Sequence, residues 1–170
     1  MSTDAFVGLG SNLEDPTGQL ARAVTELASL PDTLLVAQSP FYASRPVGPQ
    51  DQPDFVNGAA WLKTSLSAHI LLDHLQNIEH QHGRQRIRHW GPRTLDLDLL
   101  LFGQNLIDDA RLTVPHKELP NRDFALQPLL DLNPDLTLPD GRPLAELRRQ
   151  CPDNSLRKLP PIDRSPFDSR

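Results

Sequence analysis

Between Thr94 and Leu99 the sequence alternates strictly between polar and apolar side chains, Thr-Leu-Asp-Leu-Asp-Leu. Side chains two residues apart on a β-strand lie on the same face, so this period predicts a strand. Asp96 and Asp98 then share one face, roughly 6.5 Å apart along the strand, and the leucines share the other. Two carboxylates on a partly buried face repel each other unless a cation lies between them. The stretch therefore predicts a strand that carries a metal-binding acidic pair.

The residues around this strand strengthen that interpretation. Leu100 and Phe102 continue the positions of the two aspartates, which predicts that their face is packed against protein. Mg²⁺ is commonly held by one or two carboxylates together with phosphate oxygens, and arginines bind phosphates in bidentate fashion. A polyphosphate site is therefore predicted, and the alternative is a solvated strand beside a solvated loop. The basic stretch that precedes the strand contains Trp90 and the arginines Arg84, Arg86, Arg88 and Arg93.

Length and charge restrict the class of protein. A chain of 170 residues suits one domain with a substantial core, which we expect over residues 1–150, before a Pro-rich, loose tail over residues 151–170. The net charge of −5 argues against nucleic acid as a partner. Cys151 is the one cysteine, which excludes an intrachain disulfide and fits a reducing compartment. We find no signal peptide and no bilayer-spanning apolar run, and we expect a monomeric cytoplasmic protein.

The order of predicted elements gives the fold class. An apolar first strand ends at a predicted turn around Gly10, and helices follow Asp15 and Ser67, two residues suited to capping. His80 and His82 end the second helix, where a solvated helix end is favoured over a metal site. The order strand–helix–strand–strand–helix–strand predicts an α+β protein, a ferredoxin-like α/β/α sandwich around a mainly antiparallel sheet. The strands are predicted over 5–9, 33–36, 55–62 and 94–99, and later helices from 123 and over 144–149.

Four motifs together resemble a known family. They are Gly-Ser-Asn-Leu at 10–13, Gly-Pro-Gln-Asp-Gln-Pro-Asp-Phe-Val-Asn at 48–57, Trp-Gly-Pro-Arg-Thr-Leu-Asp-Leu-Asp at 90–98, and Leu-Thr-Val-Pro-His at 112–116 followed by Asn121 and Arg122. The combination resembles 6-hydroxymethyl-7,8-dihydropterin pyrophosphokinase of folate biosynthesis, over about residues 4–150. The resemblance implies that the hydroxymethyl oxygen of the pterin attacks the β-phosphorus of ATP and that AMP leaves.

The resemblance also implies roles for individual residues. Asp96 and Asp98 would hold two Mg²⁺ ions, and Arg86 and Arg93 would act with them as catalytic residues on the phosphates. The implied ATP-binding residues are Gln76, Glu79, Arg84, Trp90, Arg111, Thr113, His116 and Arg122. The implied pterin-binding residues are Ser44, Pro46, Val47, Phe55, Asn57 and Phe124, of which Phe55 and Phe124 would stack on the two faces of the pterin and Asn57 would bind its edge.

Some positions depart from the family pattern, and two other functions are open. Ser44-Arg45-Pro46 stands where the family more often has Thr-Pro-Pro, and Phe55 stands where Tyr is common. The arginine loop looks one residue shorter than in the bacterial members of the family, so either Arg86 or Arg88 takes the inner catalytic position.

A nucleotide-sugar glycosyltransferase also uses Asp-x-Asp but needs a further α/β half. A nucleic-acid-binding ferredoxin-like module needs paired aromatics on its open sheet, which this sequence lacks.

Overall fold

The first strands and helices follow the predicted order strand–helix–strand–strand–helix–strand, with the second strand in two pieces. The computed structural model describes residues 2–12, 15–44, 54–83, 95–153 and 155–161. The strands are β1 (Thr3–Ser11), β2 (Thr33–Gln38), β3 (Tyr42–Ser44), β4 (Phe55–Thr64), β5 (Asp96–Phe102), β6 (Ile107–Asp108), β7 (Thr113–Val114) and β8 (Arg157–Lys158). The helices are α1 (Pro16–Ala28), α2 (Ala68–Gln81), α3 (Asp123–Leu132) and α4 (Leu144–Gln150), with a 3₁₀ turn at Leu119–Asn121.

Local capping explains where the two long helices begin. The Asp15 carboxylate accepts a hydrogen bond from the Gly18 N–H at 3.4 Å, and the Ser67 hydroxyl accepts one from the Ile70 N–H at 3.2 Å. Both bonds satisfy backbone donors that have no partner inside the first turn. The predicted caps are confirmed. After α2, Gly83 adopts φ +70°, a left-handed conformation that glycine tolerates and that ends a helix.

The sheet has the strand order of a ferredoxin-like fold. Five strands pair antiparallel in the order β5-β1-β4-β3-β8, and a sixth strand, β2, pairs with β4. β2 and β3 lie one after the other along the same edge of β4, since Gln38 pairs with Ala60 and Tyr42 with Asn57. Counting β2 and β3 as one interrupted strand, the first four strands have the order fourth, first, third, second.

Helical layers cover both faces of the sheet. α1 and α2 pack on one face and α3 and α4 on the other, each over its own cluster of buried apolar side chains. The predicted α/β/α sandwich is confirmed. The α1–α2 cluster includes Val7, Leu9, Leu20, Leu27, Leu62, Leu71, Leu75, Leu97 and Leu99. The α3–α4 cluster includes Phe6, Ala59, Leu100, Leu101, Leu126, Leu129, Leu144 and Leu147.

A β-bulge changes the alternation at the end of β5. Val7 of β1 pairs with Leu99 and Phe6 with Leu101, so Leu100 is an extra residue on β5. Leu100 packs on the α3 side, as predicted, but Phe102 packs among the α1–α2 residues. The prediction that Phe102 shares the face of the aspartates is wrong, because the extra residue reverses the faces of all later positions.

The side chain of His82, the C-cap residue of α2, is buried rather than solvated. The His82 side chain is only 4% exposed, although His80 is exposed as predicted. The Nδ1 of His82 lies 2.6 Å from Gln19 Oε1, and the Nε2 of His82 lies 2.6 Å from Glu26 Oε1. The expectation for His82 is therefore wrong, since both ring nitrogens have partners on α1.

The expectation of a loose tail is wrong for part of it. Within residues 151–161, β8 pairs with β3, Arg157 opposite Ala43 and Lys158 opposite Tyr42. The Leu159 N–H then donates to the Phe41 carbonyl at 2.8 Å. The tail orders here because the outer edge of β3 offers backbone groups that a further strand satisfies. Residues 162–170 lie outside the described residues, and one domain over 1–150 stays a prediction.

Across the described ranges, each helix is too short or too polar to cross a bilayer.

Candidate active site

The two aspartates of β5 lie where the alternation predicts. Asp96 and Asp98 are half-buried, whereas Leu97 between them is 4% exposed and packs toward α1 and α2. The carboxylates therefore lie on the opposite side, the side that α3 and α4 cover farther along the sheet. We call this sheet face, which carries Asp96 and Asp98, the acidic face.

Two glycines of β1 lie beside the carboxylates. Gly10 is directly opposite Asp96, and Gly8 is directly opposite Asp98. Directly opposite residues of an antiparallel pair share a face, so β1 places no side chain of its own opposite either carboxylate. The predicted turn at Gly10 is wrong, because β1 continues to Ser11. The sequence feature that indicates a continuing strand is Val-Gly-Leu-Gly at 7–10, in which glycine alternates with apolar residues that are buried in the structure.

Strand register brings the predicted pterin residues onto the same face. Gly10 also pairs with Asn57 of β4, and Asn57 pairs with Tyr42 of β3. Asp96, Gly10, Asn57 and Tyr42 therefore form one row across four strands. With neighbouring strands about 4.8 Å apart, Asn57 lies two strands, or about 10 Å, from Asp96. Phe55 is two residues before Asn57 and so belongs to the acidic face as well.

The amide of Asn57 has a defined orientation. Asn57 is 9% exposed, and the buried Ser44 hydroxyl donates to its Oδ1 at 3.3 Å. Its Nδ2 lies over Gly10, 2.8 Å from where a Cβ atom would be. Ser44 is itself paired with Phe55, which is half-buried at the start of β4. The structure thus brings together Ser44, Phe55 and Asn57 of the predicted pterin set.

Glu79 holds the strand that carries the aspartates. This α2 residue is 7% exposed, and its Oε2 accepts the backbone N–H of Leu97 at 2.7 Å. Leu97 lies between Asp96 and Asp98, and β5 is the edge strand of the sheet that the described residues form. Glu79 was predicted to contact ATP. In the structure its carboxylate supports the backbone of β5, and a contact with ATP stays a prediction.

The segment after β6 attaches to the same edge. The His116 N–H donates to the Leu100 carbonyl at 3.0 Å, and its Nδ1 accepts the Glu118 N–H at 3.1 Å. A neutral imidazole that accepts at Nδ1 carries its proton on Nε2, so His116 presents Nε2–H as a donor. Thr113 is exposed, and its hydroxyl donates to Asp108 at 3.4 Å.

Arg111 is held against α2 by a turn. Its Nη2 donates to Asp73 at 2.6 Å and to Gln76 at 3.3 Å, so two predicted ATP residues meet, Gln76 and Arg111. The turn forms because the Asp109 carboxylate accepts the Arg111 N–H at 2.9 Å. That bond, followed by one with His69, lowers the pKa of Asp109 below its usual value.

Arg122 and Phe124 meet at the start of α3. The Arg122 guanidinium carbon lies 5.7 Å from the centre of the Phe124 ring, a cation–π distance, and both residues are half-buried. The predicted cap at Asp123 is displaced by one residue, since Arg122 is the N-cap and Asp123 lies in the first turn. The buried Asp123 there has the charge that a helix N-terminus favours.

Tyr42 shares the row of Asn57 and Asp96, although the site residues predicted from the sequence do not include it. It is 7% exposed, and its hydroxyl donates to Asp131 of α3. Burial, and then the hydrogen bond to Asp131 and its negative charge, raise the pKa of Tyr42 to about 12. The sequence placed Tyr42 in a strand, but nothing local indicates that α3 crosses above it.

Six predicted site residues lie outside the described residues: Pro46, Val47, Arg84, Arg86, Trp90 and Arg93.

Comparisons with known proteins show which family the chain is similar to. Residues 6–134 match the family model described as 7,8-dihydro-6-hydroxymethylpterin-pyrophosphokinase. The chain is 55% identical over 155 residues to the 2-amino-4-hydroxy-6-hydroxymethyldihydropteridine pyrophosphokinase of Pseudomonas aeruginosa, covering 91% of this chain and 96% of that one. It is 48% identical over 157 residues to the protein of that name from Haemophilus influenzae, covering 92% and 98%.

A solved structure shows the same fold. The Plasmodium falciparum HPPK-DHPS structure with STZ-DHP superposes with a TM-score of 0.70 at 13% identity, over 88% of this chain. This chain spans 43% of the length of that one. At that identity the likeness concerns the fold.

Proposed function

The chain belongs to the 7,8-dihydro-6-hydroxymethylpterin-pyrophosphokinase family and is a pyrophosphokinase of folate biosynthesis, and we propose that it performs this transfer on the acidic face. The hydroxymethyl oxygen of 6-hydroxymethyl-7,8-dihydropterin forms a bond to the β-phosphorus of ATP and loses its proton. The bond from that phosphorus to the oxygen shared with the α-phosphate breaks. AMP leaves, and the pterin carries the diphosphate.

The row from Asp96 through Gly10 to Asn57 supports this proposal most directly. It puts a carboxylate suited to phosphate-bound cations on the same face as an amide suited to the edge of a heterocycle. The about 10 Å between them leaves room for a pterin at one end and a polyphosphate at the other. Gly10, which lies between them on β1, adds no side chain of its own to this face.

The donor set of β5 fits Mg²⁺. Asp96 and Asp98 are oxygen donors on one half-buried face. Within the described ranges, no group of three or more His, Cys, Asp or Glu residues could hold a metal ion. Two carboxylates with the remaining ligands from phosphates and water is the common form of a Mg²⁺–nucleotide site. We propose two ions, held by Asp96 and Asp98, which when bound neutralise phosphate charge.

ATP is proposed to bind along the β5 edge. Transfer of this kind depends mainly on positioning and charge stabilisation. We assign Arg86 and Arg93 to the phosphates as catalytic residues and the Nε2–H of His116 to a phosphate oxygen. The support for Arg111 is that its guanidinium is already oriented toward Gln76 on α2. The remaining proposed ATP contacts are Glu79, Arg84, Trp90, Thr113 and Arg122.

The pterin is proposed to bind over β4. The half-buried rings of Phe55 and Phe124 stack on its two faces, and Asn57 offers one acceptor and one donor to its edge. Because Ser44 donates to Asn57 Oδ1, the amide orientation is set before the pterin arrives. Proposed contacts from Ser44, Pro46 and Val47 complete the pocket.

We further propose that the protein is a cytoplasmic monomer whose ligands are ATP and the dihydropterin rather than nucleic acid. The net charge of −5 argues against nucleic acid, because its extended phosphate backbone would be repelled over a large part of the surface. The lone Cys151 supports a reducing compartment, since it leaves no second cysteine in the chain for a disulfide.

Product analysis tests the reaction. The protein is mixed with ATP, Mg²⁺ and 6-hydroxymethyl-7,8-dihydropterin, and nucleotides and pterins are separated. AMP and the pterin diphosphate in equal amounts are expected. ADP with a pterin monophosphate, or no pterin product, would contradict the proposal. Omitting the pterin controls for hydrolysis of ATP.

A further inference from the structure

Strand β8 pairs with β3 close to the pterin-side residues Ser44 and Phe55. Ser44 is the last residue of β3, and Asp54 directly precedes Phe55, the first residue of β4. Arg157 of β8 pairs through its backbone with Ala43, the neighbour of Ser44. Its Nη2 also donates to the Asp54 carboxylate at 2.9 Å. One residue therefore holds both ends of the connection from β3 to β4.

The ion pair lies on the reverse side of the sheet from the pterin residues. Arg157 is opposite Ala43, and Ala43 is opposite Val56, so these three residues share a face. Asp54 lies two residues before Val56 and belongs to that face as well. Ser44, Phe55 and Asn57 belong to the acidic face. Arg157 is thus unsuited to contact the pterin directly, and a change there removes no pterin contact.

We propose that Arg157 is a positioning residue for the pterin pocket. By holding Asp54 and Ala43 together from behind, it sets the spacing of Ser44 and Phe55 on the acidic face. Ser44 in turn donates to Asn57, so three predicted pterin contacts depend on this spacing. The inference rests on the proposed function, because it assigns the pterin to this end of the face.

The expected size of the effect on the pterin KM follows from the exposure of the Arg157–Asp54 ion pair. The two side chains are 65% and 42% exposed, and exposed ion pairs couple weakly. The substitution Arg157→Asp would place a second carboxylate beside that of Asp54, so that attraction is replaced by repulsion. We expect Arg157→Asp to raise the KM for the dihydropterin about fivefold, with kcat and the KM for ATP within about twofold of wild type. A residue needed only for folding would lower activity through the amount of folded enzyme and leave KM unchanged.

Three further variants separate positioning from a general effect. The exchange Arg157→Asp with Asp54→Arg restores opposite charges and should return the pterin KM to within about twofold. Arg157→Lys keeps the charge and should behave in the same way. The control is Arg142→Asp, which breaks an ion pair to Asp140 of the same 2.9 Å length, 55% and 53% exposed, before α4. It should leave both KM values unchanged.

Amide hydrogen exchange gives a second readout without turnover. Arg157→Asp should speed exchange at Phe55–Asn57 and leave β5 as in wild type. The inference is overturned if the pterin KM and these amides do not change, if both KM values rise together, or if the charge exchange does not rescue. Failure of the proposed function is seen separately, as absence of AMP and pterin diphosphate with the wild-type protein.

Discussion

The side-chain amide of Asn57 occupies the space that a Cβ atom at Gly10 would need. Its Nδ2 is 2.8 Å from that position, closer than Cβ atoms come to their neighbours in folded proteins. The residues are 47 apart in the sequence but directly opposite in the β1–β4 register. Glycine at position 10 is therefore required for the observed amide position rather than for a turn.

Gly10→Ala should displace the Asn57 amide and weaken pterin binding. The amide is the end of a side chain and can move, so we expect a change in the free energy of unfolding below about 1 kcal/mol. Loss of about one hydrogen bond to the pterin should raise its KM about tenfold. Steady-state kinetics with each substrate varied would measure it, and the KM for ATP should stay within about twofold.

A double-mutant cycle identifies the route of that effect. If Gly10→Ala acts through Asn57, then adding it to Asn57→Ala should cause no further rise in the pterin KM. Additive losses would show that the methyl group at position 10 obstructs the pterin itself.

Asp96→Asn and Asp98→Asn should each reduce kcat by about a hundredfold or more. Each replaces a carboxylate that would hold Mg²⁺ by a neutral amide, while the shape of the side chain is kept. AMP formation measured over a range of Mg²⁺ concentrations would test this, with circular dichroism to confirm the fold. Asp135→Asn, at an exposed aspartate after α3, is the matched control and should keep wild-type activity. Near-normal turnover in the double variant Asp96→Asn, Asp98→Asn would remove the metal role.

Glu79→Ala should destabilise the protein by about 1–3 kcal/mol. It leaves the buried Leu97 N–H without the acceptor seen in the structure. Glu79→Gln keeps an acceptor oxygen and should lose less. Urea unfolding would give the free energies, and Gln76→Ala on the exposed side of α2 should stay within about 0.5 kcal/mol of wild type. Equal stability of Glu79→Ala and wild type would contradict the supporting role.

The Tyr42 hydroxyl should make stability depend on pH in the alkaline range. Its pKa is about 12 in the folded protein against 10.0 for an ordinary tyrosine, so between these values the unfolded chain binds fewer protons. The contribution is complete below pH 10 and is lost as the pH rises toward 12. Since one pKa unit corresponds to about 1.4 kcal/mol, the loss amounts to about 2–3 kcal/mol.

Comparison with Tyr42→Phe isolates this contribution. Unfolding free energies are measured from pH 9 to 12, since both proteins share every other titrating group. The difference between wild type and Tyr42→Phe should shrink across that range. A constant difference would show that the hydroxyl does not titrate with the shifted pKa.

Residues whose environment is local could be predicted from the sequence. The caps at Asp15 and Ser67 bond within their own first turn, and a two-residue period places Asp96 and Asp98 on one face. The strand and helix order was sufficient for the α/β/α class, because few arrangements bury such elements. The motifs at 10–13, 48–57, 90–98 and 112–116 together indicate the family, because each is one continuous run of residues that can be read without the fold.

Tertiary structure decided what depends on residues far apart in the chain. The bulge at Leu100 arises from its pairing with β1, so alternation alone put Phe102 on the wrong face. His82 is buried because α1 supplies Gln19 and Glu26, and Arg157 joins the sheet because it pairs along the outer edge of β3. A period within one segment tells which side chains share a face, whereas register between strands decides which of them meet. That is why the sequence predicted the acidic pair, and only the fold placed Gly10 and Asn57 beside it.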